Sequence, residues 1–140
     1  MQEYTKPTAA PKRWRTRYTA LFFIAMVALL VLNLPRGFDT NLDKIGAGKP
    51  ALVFVYDANL VVSNQQAGEM NKARETLAEE LHFLIADIGR PEGQLFIQQY
   101  RAERTQILLF AADGSLLKRT QGLVTAEQLL ALFHESLVLK

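Results

Sequence analysis

The 140-residue chain contains no cysteine. That absence removes disulfides, thiolate metal ligands and thiol catalysis together, and leaves the redox compartment undetermined. Histidine is almost as scarce. His82 and His134 stand far apart with no triad or H-E-x-x-H context, so structural or solvent-facing roles are expected of both. No internal repeat and no low-complexity segment is present. An excess of one charge is also missing, since the net charge is only +2, but the charge is segregated. Five basic residues before Tyr18 face Glu3 alone, a balance of +4, whereas the chain from Arg36 onward has 11 basic and 13 acidic residues, a balance of −2. The basic character belongs to the N-terminal segment, not to a nucleic-acid-binding face, and no nucleic acid is expected as a partner. With 49% hydrophobic and 21% charged residues, an intrinsically disordered chain is excluded.

What is present begins with an apolar run. "YTALFFIAMVALLVLNL", Tyr18 to Leu34, carries no charge, and as a helix its 17 residues reach roughly 25 Å, the short end of a bilayer span. Trp14 and Tyr18 sit where an aromatic belt is expected. "KRWRTR" before the run outweighs the mixed "PRGFDTNLDK" after it. These features predict a basic cytoplasmic tail over 1–17, a transmembrane helix over 18–34, a connector over 35–49 and an exported domain over 50–140. The expected location is the bacterial inner membrane, N-terminus cytoplasmic and C-terminal domain periplasmic. A cleaved signal peptide is the rival, opposed by the lack of a small-x-small site in "LNLPRGF".

The remainder predicts a small α/β domain. In the connector, "TNLDKI" predicts a helical turn capped by Thr40. "ALVFVY", Ala51 to Tyr56, suits a strand buried on both faces. Ser63 to Leu81 predicts the longest helix of the domain, with Ser63 and Gln66 as a capping box and Met70, Ala73, Leu77 and Leu81 on one face. "HFLIADI" is a second strand, and "EGQLFIQQY" is a shorter helix with Leu95, Phe96 and Ile97 turned inward. Two strands meet at Asp113-Gly114, a hairpin signal, and "TAEQLLALFHESLVL" closes the domain with Thr125 as its cap. The order is β-α-β-α-β-β-α, with parallel pairing of the first two strands.

Asp57 and Asp87 fall at the ends of those two strands, where open α/β sheets bind ligands, and two carboxylates there suit a hydrated divalent cation. The competing reading has each aspartate tying down its own turn. "GAGKP" is only a fragment of a phosphate-loop pattern and precedes its strand. The glutamates of the long helix form a solvated face.

The element order, together with "GKPALVFVYDANLVVS" and "ADGSLLKRTQG", resembles the thioredoxin family over about Leu42 to Leu137. In membrane-tethered members the first stretch reads Gly-Lys-Pro, strand, Trp-Cys-x-x-Cys. The resemblance implies a minimal thioredoxin-like domain with a mixed four-stranded sheet and flanking helices. It places the redox cysteines at Leu60 and Ser63, the tryptophan at Asn59, the buried aspartate at Phe54 and the cis-proline near Thr105. All are replaced, and a serine hydroxyl cannot perform thiol–disulfide exchange. The resemblance further implies that a partner polypeptide meets Asn59, Leu60, Val61, Val62, Arg104 and Thr105, whereas the competing reading of Leu60, Val61 and Val62 folds them inward to staple the helix. The expectation is a redox-inactive, membrane-tethered interaction module, an accessory subunit or assembly factor of a membrane protein complex. Neither catalysis nor a cofactor is expected. The alternative is a small-ligand-binding or metal-dependent enzyme domain using Asp57 and Asp87.

Overall fold

A computed structural model describes residues 1, 13–32 and 37–138. The chain divides into two compact units, Met1–Gly37 and Phe38–Lys140. In the first, α1 spans Arg13–Leu32, 20 residues. It begins inside the basic segment, so Arg13, Arg15 and Arg17 are its first, third and fifth residues. The uncharged helical part is therefore Tyr18–Leu32, about 22 Å long against a hydrocarbon core of about 30 Å. Among the described residues no helix is long and apolar enough to cross a membrane. That corrects the expected transmembrane helix over 18–34, and the membrane anchorage, inner-membrane location and N-in topology drawn from it. Most of the tail over 1–17 lies outside the described residues, as do Asn33, Leu34 and the first two connector positions.

The second unit is a thioredoxin-like α/β domain. Its four strands are β1 (Ala51–Tyr56), β2 (His82–Asp87), β3 (Gln106–Phe110) and β4 (Leu116–Gln121), in the spatial order β2-β1-β3-β4. β1 and β2 run parallel, from Ala51 opposite His82 to Tyr56 opposite Asp87. β3 pairs antiparallel with β1, and β4 with β3. The helices are α2 (Val61–Leu77), α3 (Pro91–Tyr100) and α4 (Ala126–Val138).

Ala51 to Val55 of β1 are all apolar and buried because the strand is central and covered on both faces, and only at its end does Tyr56 carry a hydroxyl, which donates to Asn64 Oδ1 at 2.8 Å. Alternate residues divide between two cores, as the pleat requires. Leu52 and Phe54 pack with Met70, Ala73 and Leu77 of α2 and with Leu129 and Phe133 of α4. Ala51, Val53 and Val55 pack on the other face with Leu84, Phe96 and Phe110. The hairpin closes at Gly114, whose φ of +85° suits a residue without a side chain, while Asp113 Oδ1 accepts the Ser115 N–H at 2.9 Å.

Three local expectations are corrected. The connector turn is a 3-10 turn at Leu42–Lys44, capped by Asn41, whose Oδ1 accepts the Asp43 N–H at 3.0 Å; Thr40 has no part in it. α2 starts two residues before Ser63, with Leu60 in the capping position and no side-chain cap. Ser63 and Gln66 are both buried instead of forming a box. In α3, Phe96 is buried and Ile97 half-buried, but Leu95 is 64% exposed, because a ten-residue helix offers the sheet only one narrow stripe. Thr125 does cap α4: its Oγ1 accepts the Gln128 N–H at 3.3 Å, and Gln128 Oε1 accepts the Thr125 N–H at 2.9 Å. Glu69 adds to that end from α2, accepting the Ala126 N–H at 2.8 Å. Its carboxyl is held below the usual range by the Lys72 ammonium first and by that N–H second.

Candidate functional site

β1 delivers the chain to Asp57, which is 1% exposed. A turn follows, closed by the Leu60 N–H on the Asp57 carbonyl at 3.1 Å. The Asp57 carboxylate holds the turn from inside, with Oδ1 accepting the Asn59 N–H at 2.9 Å. The Asp57 N–H in turn donates to Ser63 Oγ at 3.2 Å. Ser63, at the position where the resemblance puts a cysteine, is thus fully buried and engaged with backbone. Its hydroxyl is a strut between the end of β1 and the first turn of α2. Phe54 lies in the core, where the resemblance puts a buried aspartate.

The loop before β3 approaches the same turn. Arg104 places Nη1 3.4 Å from Asp57 Oδ2, joining an exposed guanidinium to a buried carboxylate. Next to it, Thr105 donates its N–H to the Val55 carbonyl at 3.0 Å, with φ at +63°. A β-branched residue in that region is strained and is held there by its surroundings. Among the described residues no peptide bond is cis.

Of the six sequence-predicted contact residues, Arg104 and Thr105 therefore sit against the turn that carries Asn59. Val61 is 74% exposed and Asn59 is exposed, whereas Leu60 and Val62 are half-buried. One exposed apolar residue at this end of the sheet, Leu123, is not singled out by the sequence reading. Gln121 pairs with Gln106, so the following Gly122-Leu123 comes to the same end of the sheet as Thr105, and Leu123 is 50% exposed. A signal existed in "GLVTAEQLL". A helix capped by Thr125 staples Val124 against Leu129, both buried, and leaves Leu123 with no inward place.

Asp87 ends β2 one position out of step with Asp57. Its Oδ1 accepts the Gly89 N–H at 2.8 Å, and its Oδ2 lies 3.7 Å from Arg90 Nε. Each aspartate is committed to its own turn and its own arginine. Among the described residues no group of three or more His, Cys, Asp or Glu side chains is placed to hold a metal. His82 begins β2 at the opposite end of the sheet, and His134 on α4 is exposed, with Nδ1 2.7 Å from the Leu130 carbonyl. Lys49 of "GAGKP" donates to the Ala78 carbonyl at 2.7 Å and tethers the start of β1 to the end of α2.

No protein-family model and no curated protein matches the chain. Solved structures do resemble it. A thioredoxin-like protein of Clostridium perfringens aligns over 69% of this chain and 77% of its own at 12% identity, TM-score 0.62. Trxlp of Edwardsiella tarda aligns over 64% and 86% at 21% identity, TM-score 0.55. Thioredoxin-2, a component of malaria parasite protein secretion machinery, aligns over 62% and 82% at 16% identity, TM-score 0.57. At such identities the likeness shows a thioredoxin-like fold and leaves activity to be argued from the site.

Proposed function

We propose that this chain is a redox-silent interaction module, an accessory subunit or assembly factor that docks a partner polypeptide at the end of β1. The observation that carries the proposal is Val61, an aliphatic side chain 74% exposed on the first turn of α2. It follows, by four residues, the Asp57 that pairs with Arg104, in the stretch where the resemblance puts a reactive dithiol. A chain without cysteine has no thiol of its own to exchange there. Exposed Val61 and Leu123 supply apolar contact, and Arg104 supplies a charged rim, a composition suited to protein contact. The enzyme alternative gains no support from Asp57 and Asp87, whose oxygens are engaged in separate turns.

Site-specific photocrosslinking tests this reading. A photoreactive residue is placed at Val61, at Leu123 or, as a control, at Glu80 beyond the far end of α2, in the full chain at native expression. A discrete adduct of one size from positions 61 and 123, absent from 80, is expected. No adduct, or the same spectrum of adducts from all three, would sink the proposal.

A further inference from the structure

The two faces of the sheet are unequally covered. Among the described residues, one carries α2 and α4, whereas the other carries only the ten-residue α3 and the 3-10 turn at Leu42–Lys44. Between that turn and α3 lies a groove of 540 Å³, within the range of about 300–1,000 Å³ common for binding sites. Ile45, Phe96 and Tyr100 give it an apolar floor, and Leu95, 64% exposed, stands on its rim. Its charged lining residues are Asp43 and Glu92, both acidic. Among the described residues neither has an ion-pair partner within 4.0 Å, unlike the neighbouring Asp39 and Asp87, which are paired with Lys44 and Arg90. None of the residues around Asp57 and Arg104 lines this groove.

We infer that the groove docks a short partner segment in which arginine or lysine alternates with aliphatic side chains. The aliphatic groups cover Leu95 and the floor, and the cations meet Asp43 and Glu92. An acidic segment would bring like charges together there, at a cost that selects against it. A cationic segment without apolar side chains would leave Leu95 and the floor wet. This site lies on a different face from the proposed partner surface and stands or falls separately.

The test uses the full chain and a fluorescein-labelled Leu-Arg-Leu-Arg-Leu peptide, followed by fluorescence anisotropy. Saturable binding is expected, weakened about tenfold or more by Glu92→Lys and by Leu95→Ser. The counterpart with glutamate in place of arginine is expected not to bind. Leu95 and Glu92 are both exposed, and unchanged far-UV circular dichroism of the two variants confirms that the fold is intact. Glu92→Gln, which only removes charge, gives a smaller loss of the same sign. Glu80→Lys, on another part of the surface, leaves affinity unchanged. The inference is overturned by absence of binding, by an equal loss in Glu80→Lys, or by full affinity in Leu95→Ser.

Discussion

The side-chain amide of Gln66 satisfies both backbone groups of Val124, 58 residues away: Nε2 donates to the carbonyl at 2.9 Å, and Oε1 accepts the N–H at 2.7 Å. Gln66 is 1% exposed and Val124 7%, so water is a poor substitute for either bond. The pair locks α2 to the turn that launches α4. Gln66→Leu keeps most of the volume but leaves two buried backbone groups unpaired, at a cost of about 3 kcal/mol. Urea unfolding followed by tryptophan-independent circular dichroism should show a lower midpoint with unchanged slope. A loss below about 0.5 kcal/mol would mean that the bonds contribute nothing net.

Gly93 and Gly68 are expected to respond oppositely to alanine. A Cβ on Gly93 would lie 2.0 Å from the Asp87 carbonyl oxygen and 2.6 Å from its carbon, inside fixed backbone. That overlap forces α3 away from the end of β2, and Gly93→Ala should cost more than about 3 kcal/mol or prevent folding. Gly68 lies within α2, and a Cβ there meets nothing within 4 Å. Gly68→Ala should raise stability by about 0.5–1 kcal/mol through helix propensity. Thermal melts of the two variants check both signs.

His82 gives the domain a pH dependence of definite direction. Its pKa lies below the ordinary value of about 6.5, first because burial disfavours the imidazolium, then because Lys49 and Lys44 repel it, with Asp39 opposing. The unfolded chain therefore binds this proton more readily than the folded one. The contribution is complete above about pH 6.5 and is lost as pH falls from there through the folded value. Asp39 adds a loss of the same sign at lower pH. Its carboxyl is held down first by the Lys44 ammonium and then by the Asn41 N–H, so its share fades only below the ordinary carboxylate value. His82→Gln should flatten the stability profile over the interval just below about pH 6.5, and it should slightly shrink the acid limb, because the His82 imidazolium also helps hold the Asp39 carboxyl down. Equal slopes in wild type and variant over that interval would refute the assignment.

How far the sequence alone reaches is visible in one pattern that occurs twice. Thr125 and Gln128, and Ser63 and Gln66, have the same S/T-x-x-Q spacing before an apolar helix. The first is a reciprocal cap, and the second is not a cap at all. Spacing reports what neighbours along the chain can do, and it cannot see Val124 waiting 58 residues away for a glutamine. The order of elements along the chain, the parallel β1–β2 pair and the hairpin at Asp113-Gly114 are legible, because continuous apolar runs and turn chemistry are local signals, whereas the spatial order β2-β1-β3-β4 is not. The apolar run at Tyr18 is legible as a helix, but its start at Arg13, inside the basic segment, is not. At the site, the strand end at Asp57 is legible in the sequence. That an arginine 47 residues later lies over it depends on the tertiary path of the loop before β3.

The Arg104–Asp57 pair separates a structural role for that loop from a docking role. The Asp57 side chain is 2% exposed, so removing its cation leaves a nearly buried charge held by the Asn59 N–H alone. Arg104 itself is 70% exposed, and solvent screening reduces the effect, so Arg104→Ala should cost about 1–2 kcal/mol. Asp57→Asn keeps an oxygen for the Asn59 N–H while removing the charge. In that background, Arg104→Ala should cost less than about 0.5 kcal/mol, giving a clear coupling energy in a double-mutant cycle. Val61→Lys touches neither group, and at 74% exposure it should change stability by less than about 0.5 kcal/mol. If the surface docks a polypeptide, however, Val61→Lys should abolish the crosslink formed from position 123. A variant of full stability that still gives that adduct would show that the exposed apolar group at the start of α2 is not where the partner sits.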